Sequence, residues 1–235
     1  MSYRIALQGL ELASYEIGVG DLSEVGGKQT VVVQAHAKTV GFGAFVKVDD
    51  YFSSWIDVLT GRSVRWMTDE FDTNGKDKER TDADLAGRSG NLVPITFHLN
   101  DETPKPEPQL VTKPDVWDYN AFLVALRSWE GPAGSAVSVE VLRSRYLWHV
   151  EMKIGGKEKL VTELGELPAL RFDGHTYKLD RKGGRDKESD ERDFTVWISD
   201  DDGRVPLKVV AKTDYGDMKM EIVDYQPGTG KRLRN

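Results

Sequence analysis

Four histidines, 39 acidic side chains and six tryptophans are the residues of this chain that could do chemistry, and their spacing decides which chemistry is open to them. His36, His98, His149 and His175 stand in separate segments without an H-x-H or H-E-x-x-H pair, so they read as surface or hydrogen-bonded histidines rather than as a metal set. Asp200 to Gly203 resembles part of a calcium loop but lacks the D-x-D-x-D-G spacing and the later Glu, which leaves a tight turn. Asp49, Asp50, Asp57, Asp115 and Asp118 offer carboxylates for glycoside cleavage, a reaction that needs two of them at a set separation across one groove. With 39 acidic residues such pairs arise by number alone. There is no G-x-S-x-G elbow, no P-loop and no G-x-G-x-x-G after a strand, and GFGA at 41–44 reads as a strand end or bulge. The chain has no cysteine, which removes disulfides, thiolate zinc and cysteine nucleophiles together. No catalytic residue, metal or cofactor is expected.

The aromatic residues say more. Trp55, Trp66, Trp117, Trp129, Trp148 and Trp197 all fall in strand-like or helix-like segments, where aromatic side chains chiefly build core. A curved sheet around one helix also leaves an apolar cleft suited to acyl chains. Trp55, Trp66, Trp117, Phe122, Trp129 and Trp148 are the residues expected to line such a cleft.

These side chains must be positioned mainly by strands. From Asp193 to Tyr225 three alternating patterns follow one another: Phe194, Val196 and Ile198, then Leu207, Val209 and Ala211, then Met218, Met220 and Ile222 share one face of a β-meander. Residues 11–20 and 29–40 form an opening hairpin whose turn is bracketed by Gly18, Gly20, Gly26 and Gly27, and Thr60-Gly61 turns a second hairpin. Asn74-Gly75 and Ser89-Gly90 mark further turns. Residues 101–114, with four prolines, form an extended surface connection. A helix over 115–129 follows, capped by Asp115, with Tyr119, Phe122, Leu123 and Leu126 on one face. Strands resume at Ala136, Gly155-Gly156 makes a turn, and the mixed charges of 180–193 form a polar hairpin. The expectation is a single domain over 1–235, mainly β: a curved antiparallel half-barrel of about ten strands with one packed helix.

Composition sets the outer limits. Hydrophobic residues at 39% and charged residues at 30% describe a folded globular chain, and no apolar run approaches the ~18 residues of a membrane helix. A formal charge of −7 repels phosphate backbones, so no nucleic-acid partner is expected, and the KRLRN end reads as a solvated tail. The opening residues lack the basic start and apolar stretch of a signal peptide, which leaves a cytoplasmic protein or a trimmed export signal.

The order of YEIGVG, VDDYFSSWID, WDYNAFLVALRSW, GGKEKLVTELGELPALRF and VWISDDDGRVPLKVVAKTDYGDMKMEIVDY resembles the exported bacterial proteins grouped as domain of unknown function 3108, over roughly 11–226. The most specific residues are W-I-S-D-D-x-x-R-x-P, from Trp197 to Pro206, and the Leu126-Arg127 pair. The resemblance implies a periplasmic or outer-envelope protein with a half-barrel similar to the Lol lipoprotein carriers and receptors, and no catalytic residues. It implies a non-enzymatic protein that binds a hydrophobic or amphiphilic partner such as a lipid or lipoprotein acyl chain. The alternative is a structural scaffold that docks an envelope protein through sheet edges or polar hairpins, and a glycan-active enzyme stands third.

Overall fold

The computed structural model describes residues 1–40, 48–71 and 76–228. The GFGA run at 41–44, the Asn74-Gly75 pair and the KRLRN tail lie outside the described residues. Period-two alternation carries most of the chain into seventeen strands among those residues: β1 (Ser2–Leu7), β2 (Leu10–Val25), β3 (Lys28–Thr39), β4 (Asp49–Asp57), β5 (Ser63–Phe71), β6 (Lys78–Asp84), β7 (Leu92–Val93), β8 (Ile95–Leu99), β9 (Lys105–Pro106), β10 (Gln109–Leu110), β11 (Val116–Asp118), β12 (Ala136–Arg143), β13 (Tyr146–Thr162), β14 (Gly165–Lys178), β15 (Arg192–Ser199), β16 (Pro206–Thr213) and β17 (Gly216–Asp224). One helix, α1 (Tyr119–Ser128), stands between β11 and β12.

Fifteen strands form one sheet in the order β11-β12-β13-β14-β15-β16-β17-β1-β2-β3-β4-β5-β6-β8-β9, and β7 pairs with β10 separately. Every pair is antiparallel except β11 with β12. Strand β1 lies between β17 and β2, so the N-terminal residues weld the closing meander to the opening hairpins. The sheet edges, β11 and β9, have three and two residues and offer little template for a further strand.

The sheet rolls until its ends overlap. Leu142 and Leu147 share a buried cluster with Trp66, Ala83 and Ile95, although the first pair belongs to β12 and β13 and the others to β5, β6 and β8 near the opposite end of the strand order. Trp66 Nε1 donates to Ser144 O at 3.1 Å across this seam. The guanidinium of Arg145 lies 3.8 Å from the centroid of Phe97. The larger core fills the concave side, where Tyr3, Ile17, Val33, Phe172, Val196, Ile198 and Ile222 meet Ala121, Phe122, Leu123 and Leu126 of the helix.

Gly174 serves this packing. It pairs with Phe194 across β14 and β15, and a Cβ at 174 would collide with the Phe194 ring lying over it. Gly174→Ala is expected to cost about 1–3 kcal/mol in a denaturant melt, and Phe194→Leu in the same chain should recover part of the loss. A cost below about 0.5 kcal/mol, within the usual range for surface changes, would mean that the ring does not lie there.

Several expectations need correction. The strand number is fifteen in the main sheet rather than about ten: β1 and β8 alternate but are only six and five residues long, and the two- and three-residue strands carry too little alternation to be read alone. The helix begins at Tyr119, since Val116–Asp118 pairs with β12 instead, and its cap is Asp118 rather than Asp115. Gly18 and Gly20 lie within β2, which passes through a bulge between Val19 and Leu22, and the turn falls at Gly26-Gly27 with φ of 57° and 73°. Gly155-Gly156 is likewise a bulge within β13, which runs on to Thr162. The proline-rich connection also contributes to the interior: Gln109 and Val111 are buried, and Glu140 accepts hydrogen bonds from the amides of Thr112 and Lys113. Residues 180–193 are held to it, with Gln109 Nε2 donating to Asp180 O at 2.7 Å and Arg181 paired with Glu107.

Candidate functional site

The interior is a packed aromatic and aliphatic core. Ring centroids run from Tyr3 to Tyr15 at 6.3 Å, from Tyr15 to Phe52 at 6.5 Å and from Phe52 to Trp66 at 5.9 Å, spacings at which aromatic pairs attract. The six residues expected to line a cleft are divided. Phe122 lies in the main core; Trp117, Trp129 and Trp148 are half-buried against it, and Trp129 stacks on Phe172 at 5.4 Å. Trp66 is fully buried in the second cluster. Trp55 faces outward between the buried side chains of Ser54 and Ile56, with the Arg65 guanidinium 5.6 Å from its ring.

The helix is seated by Asp118. Its extended backbone places the carboxyl over the first turn, where Oδ1 accepts from the Ala121 amide at 2.8 Å and from the Ser54 hydroxyl at 2.7 Å. Its own amide donates to Ser63 Oγ at 2.9 Å, so one residue joins α1 to β4 and β5. Asp118 is fully buried and Oδ2 has no hydrogen-bond partner. Burial pushes this carboxyl up to about 6, against the hydrogen bonds of Ala121, Ser54, Ser63 and Asn120, which pull the other way.

At its other end the helix meets the W-I-S-D-D-x-x-R-x-P turn. Arg127 Nη2 donates to Gly203 O at 2.6 Å, and Arg204 reaches back to Glu130 at 3.1 Å. Inside the turn Asp201 Oδ1 accepts from the Gly203 and Arg204 amides and from the Ser199 hydroxyl, and Arg204 takes a φ of 46°. The Tyr3 hydroxyl donates to Pro206 O at 2.9 Å. The carboxylate of Asp201 therefore builds a turn that docks on the helix, and the two most specific motifs of the family resemblance touch.

A groove of about 760 Å³ runs across β12 to β17, lined chiefly by outer-face residues such as Glu151, Asp173, His175, Thr195, Val210 and Lys212, with Met152, Gly174 and Phe194 of the inner row also bordering it. Its charges are largely paired: His175 Nδ1 lies 2.9 Å from Asp193, and Arg171 donates to Asp173 at 2.7 Å. His149 Nε2 lies 3.1 Å from Ser138 Oγ and 3.3 Å from Glu151, so hydroxyl and carboxylate share one ring nitrogen rather than bridging the imidazole as a catalytic relay would. Of these residues sequence reading singled out only His149 and His175, as surface or hydrogen-bonded histidines, because a groove floor and a solvated sheet face have the same alternating polar pattern.

Of the other singled-out residues, His36 and Asp49 pair with each other and the carboxylates otherwise stand apart. His36 stacks on Tyr51 and lies 2.8 Å from Asp49; Asp50 accepts from the Phe71 amide, Asp57 pairs with Lys28, and Asp115 pairs with Arg62. Among the described residues no group of three or more histidines and carboxylates could hold a metal ion.

A family model described as "Protein of unknown function (DUF3108)" matches residues 2–223. The chain belongs to the DUF3108 family. No curated protein matches it. Among solved structures this DUF3108 protein is similar to a beta-barrel-like protein of domain of unknown function DUF1849 from Brucella abortus, at 9% identity over 94% of each chain with a TM-score of 0.59. That likeness is one of fold alone, and it agrees with a mainly β, barrel-like chain. No helix among the described residues is long and apolar enough to cross a membrane, which says nothing of strands.

Proposed function

We propose that this DUF3108 protein is a non-enzymatic interaction protein of the bacterial envelope that docks a partner in the outer groove. One observation carries the reading: α1 and the inner sheet faces share a single core, whereas the 760 Å³ groove opens outward. The blunt edges disfavour strand addition, so the face rather than the edge is the docking surface. Envelope placement and a shape akin to the Lol carriers rest on the family resemblance.

A second reading, an apolar or amphiphilic ligand such as an acyl chain held on the concave side, has its own support. The inner row Met152, Gly174, Phe194, Ala211, Met218, Leu7 and Leu10 is continuous across seven strands and ends exposed, with Met218 at 37% and Leu10 at 61%.

Native mass spectrometry of protein purified from its own host separates the two. On the groove reading a macromolecule copurifies in fixed ratio and is lost in Thr195→Trp, which fills the groove floor, but not in Arg80→Glu on the outer face of β6. A small apolar molecule that copurifies equally with both variants overturns it.

A further inference from the structure

Asp118 is a buried carboxyl at the joint between the helix and the sheet, and no Lys, Arg or His pairs with it among the described residues. The titratable side chains nearest it are Tyr15 from β2 and Tyr119 from α1; the exposed Arg143 from β12 acts on both tyrosines and on Glu70 from β5, but not on Asp118 itself. Oδ1 is committed to Ala121 and Ser54, and the Ser63 hydroxyl and the Asn120 amide also favour the ionised form; Oδ2, which has no hydrogen-bond partner of ordinary geometry, is the oxygen that carries a proton. An ionised carboxylate held there without a counter-ion is costly, and it regains water when the helix lifts away.

We propose that Asp118 is a proton-operated seat for α1: the neutral carboxyl holds the helix in the barrel, and ionisation raises the population in which the helix is undocked and the concave face is open to apolar molecules. The folded state holds this proton more tightly than an exposed carboxyl does, so the seat is firmest at low pH and weakens as pH rises from 3.8 through about 6. A carboxyl that returns to its exposed value on undocking makes undocking about tenfold more favourable at pH 8 than at pH 5. The inference is independent of what the outer groove binds.

Hydrogen-exchange protection factors of the Ala121–Leu126 amides, taken at pH 5 and pH 8, test it in the wild type and in Asp118→Asn, which keeps the Oδ1 acceptor. Protection in the wild type should fall about tenfold more than in the variant, while β16 and β17 amides respond alike in both. Uptake of the neutral probe N-phenyl-1-naphthylamine should rise with pH in the wild type and stay flat in Asp118→Asn. An equal pH response of helix and probe in the two proteins overturns the proposal. Should Asp118→Asn not fold, the carboxyl carbon shift of Asp118 in the wild type decides: titration near 6 supports the seat, and a midpoint below about 4.5, close to an ordinary exposed carboxyl, overturns it.

Discussion

Phe122→Ala is expected to lower stability by about 3–5 kcal/mol, a large share of the roughly 5–15 kcal/mol that holds a folded domain together. The ring is 7% exposed and belongs to the main core, along with side chains from strands on both sides of the barrel. Its removal leaves a cavity whose walls are strands already fixed by their ladders, so the site cannot collapse to recover the contacts. Urea melts should show a lower midpoint with an unchanged slope, the sign of lost stability without a changed denatured state. A loss below about 1.5 kcal/mol would mean that the helix lies on the core rather than in it.

Trp66→Ala should cost a similar amount, about 3–5 kcal/mol, by a different route. Trp66 is fully enclosed, stacks on Phe52 and bonds the turn between β12 and β13, so it joins strands near the two ends of the sheet. Its truncation should raise hydrogen exchange across the seam, in β5, β6 and β12, before the meander of β15 to β17 is affected. Trp66→Phe removes the indole bond and keeps most of the apolar area; it should cost only about 1–3 kcal/mol, from the lost bond to a part-buried carbonyl and the space the smaller ring leaves. Uniform exchange throughout the sheet in Trp66→Ala would remove the seam from its special position.

The meander was legible because its alternation is strict and its turns carry Asp and Gly, and β15 to β17 begin and end within a residue or two of those signals. The helix was legible through Tyr119, Phe122, Leu123 and Leu126, whose spacing allows only one buried face. Its start was not. Asp115 and Asp118 are equally good caps by type, and the choice fell to Asp118 because Val116–Asp118 gains a parallel pairing with β12, a contact between residues 24 positions apart. Gly155-Gly156 failed as a turn for a related reason: a glycine pair suits a bulge as well as a hairpin, and only the partner strand β14 shows that the chain continues straight.

The family motif was found in sequence, but its physical meaning was not. Arg127 and Gly203 are 76 residues apart, and nothing local predicts that a helix-end guanidinium will bond a turn carbonyl. Asp118 was one carboxylate among five candidates, and its distinction is total burial with one unpartnered oxygen, a property of what surrounds it. By itself the sequence determined the period-two strands, the single amphipathic helix, the absence of cysteine chemistry and the family, all of which are set by residue type at short spacing. The tertiary structure alone decided that the sheet rolls until its ends share Trp66, that the helix fills the concave side, and that the groove faces outward. These depend on strand order and register, in which pairings between distant residues lower the free energy together and no single segment holds the information.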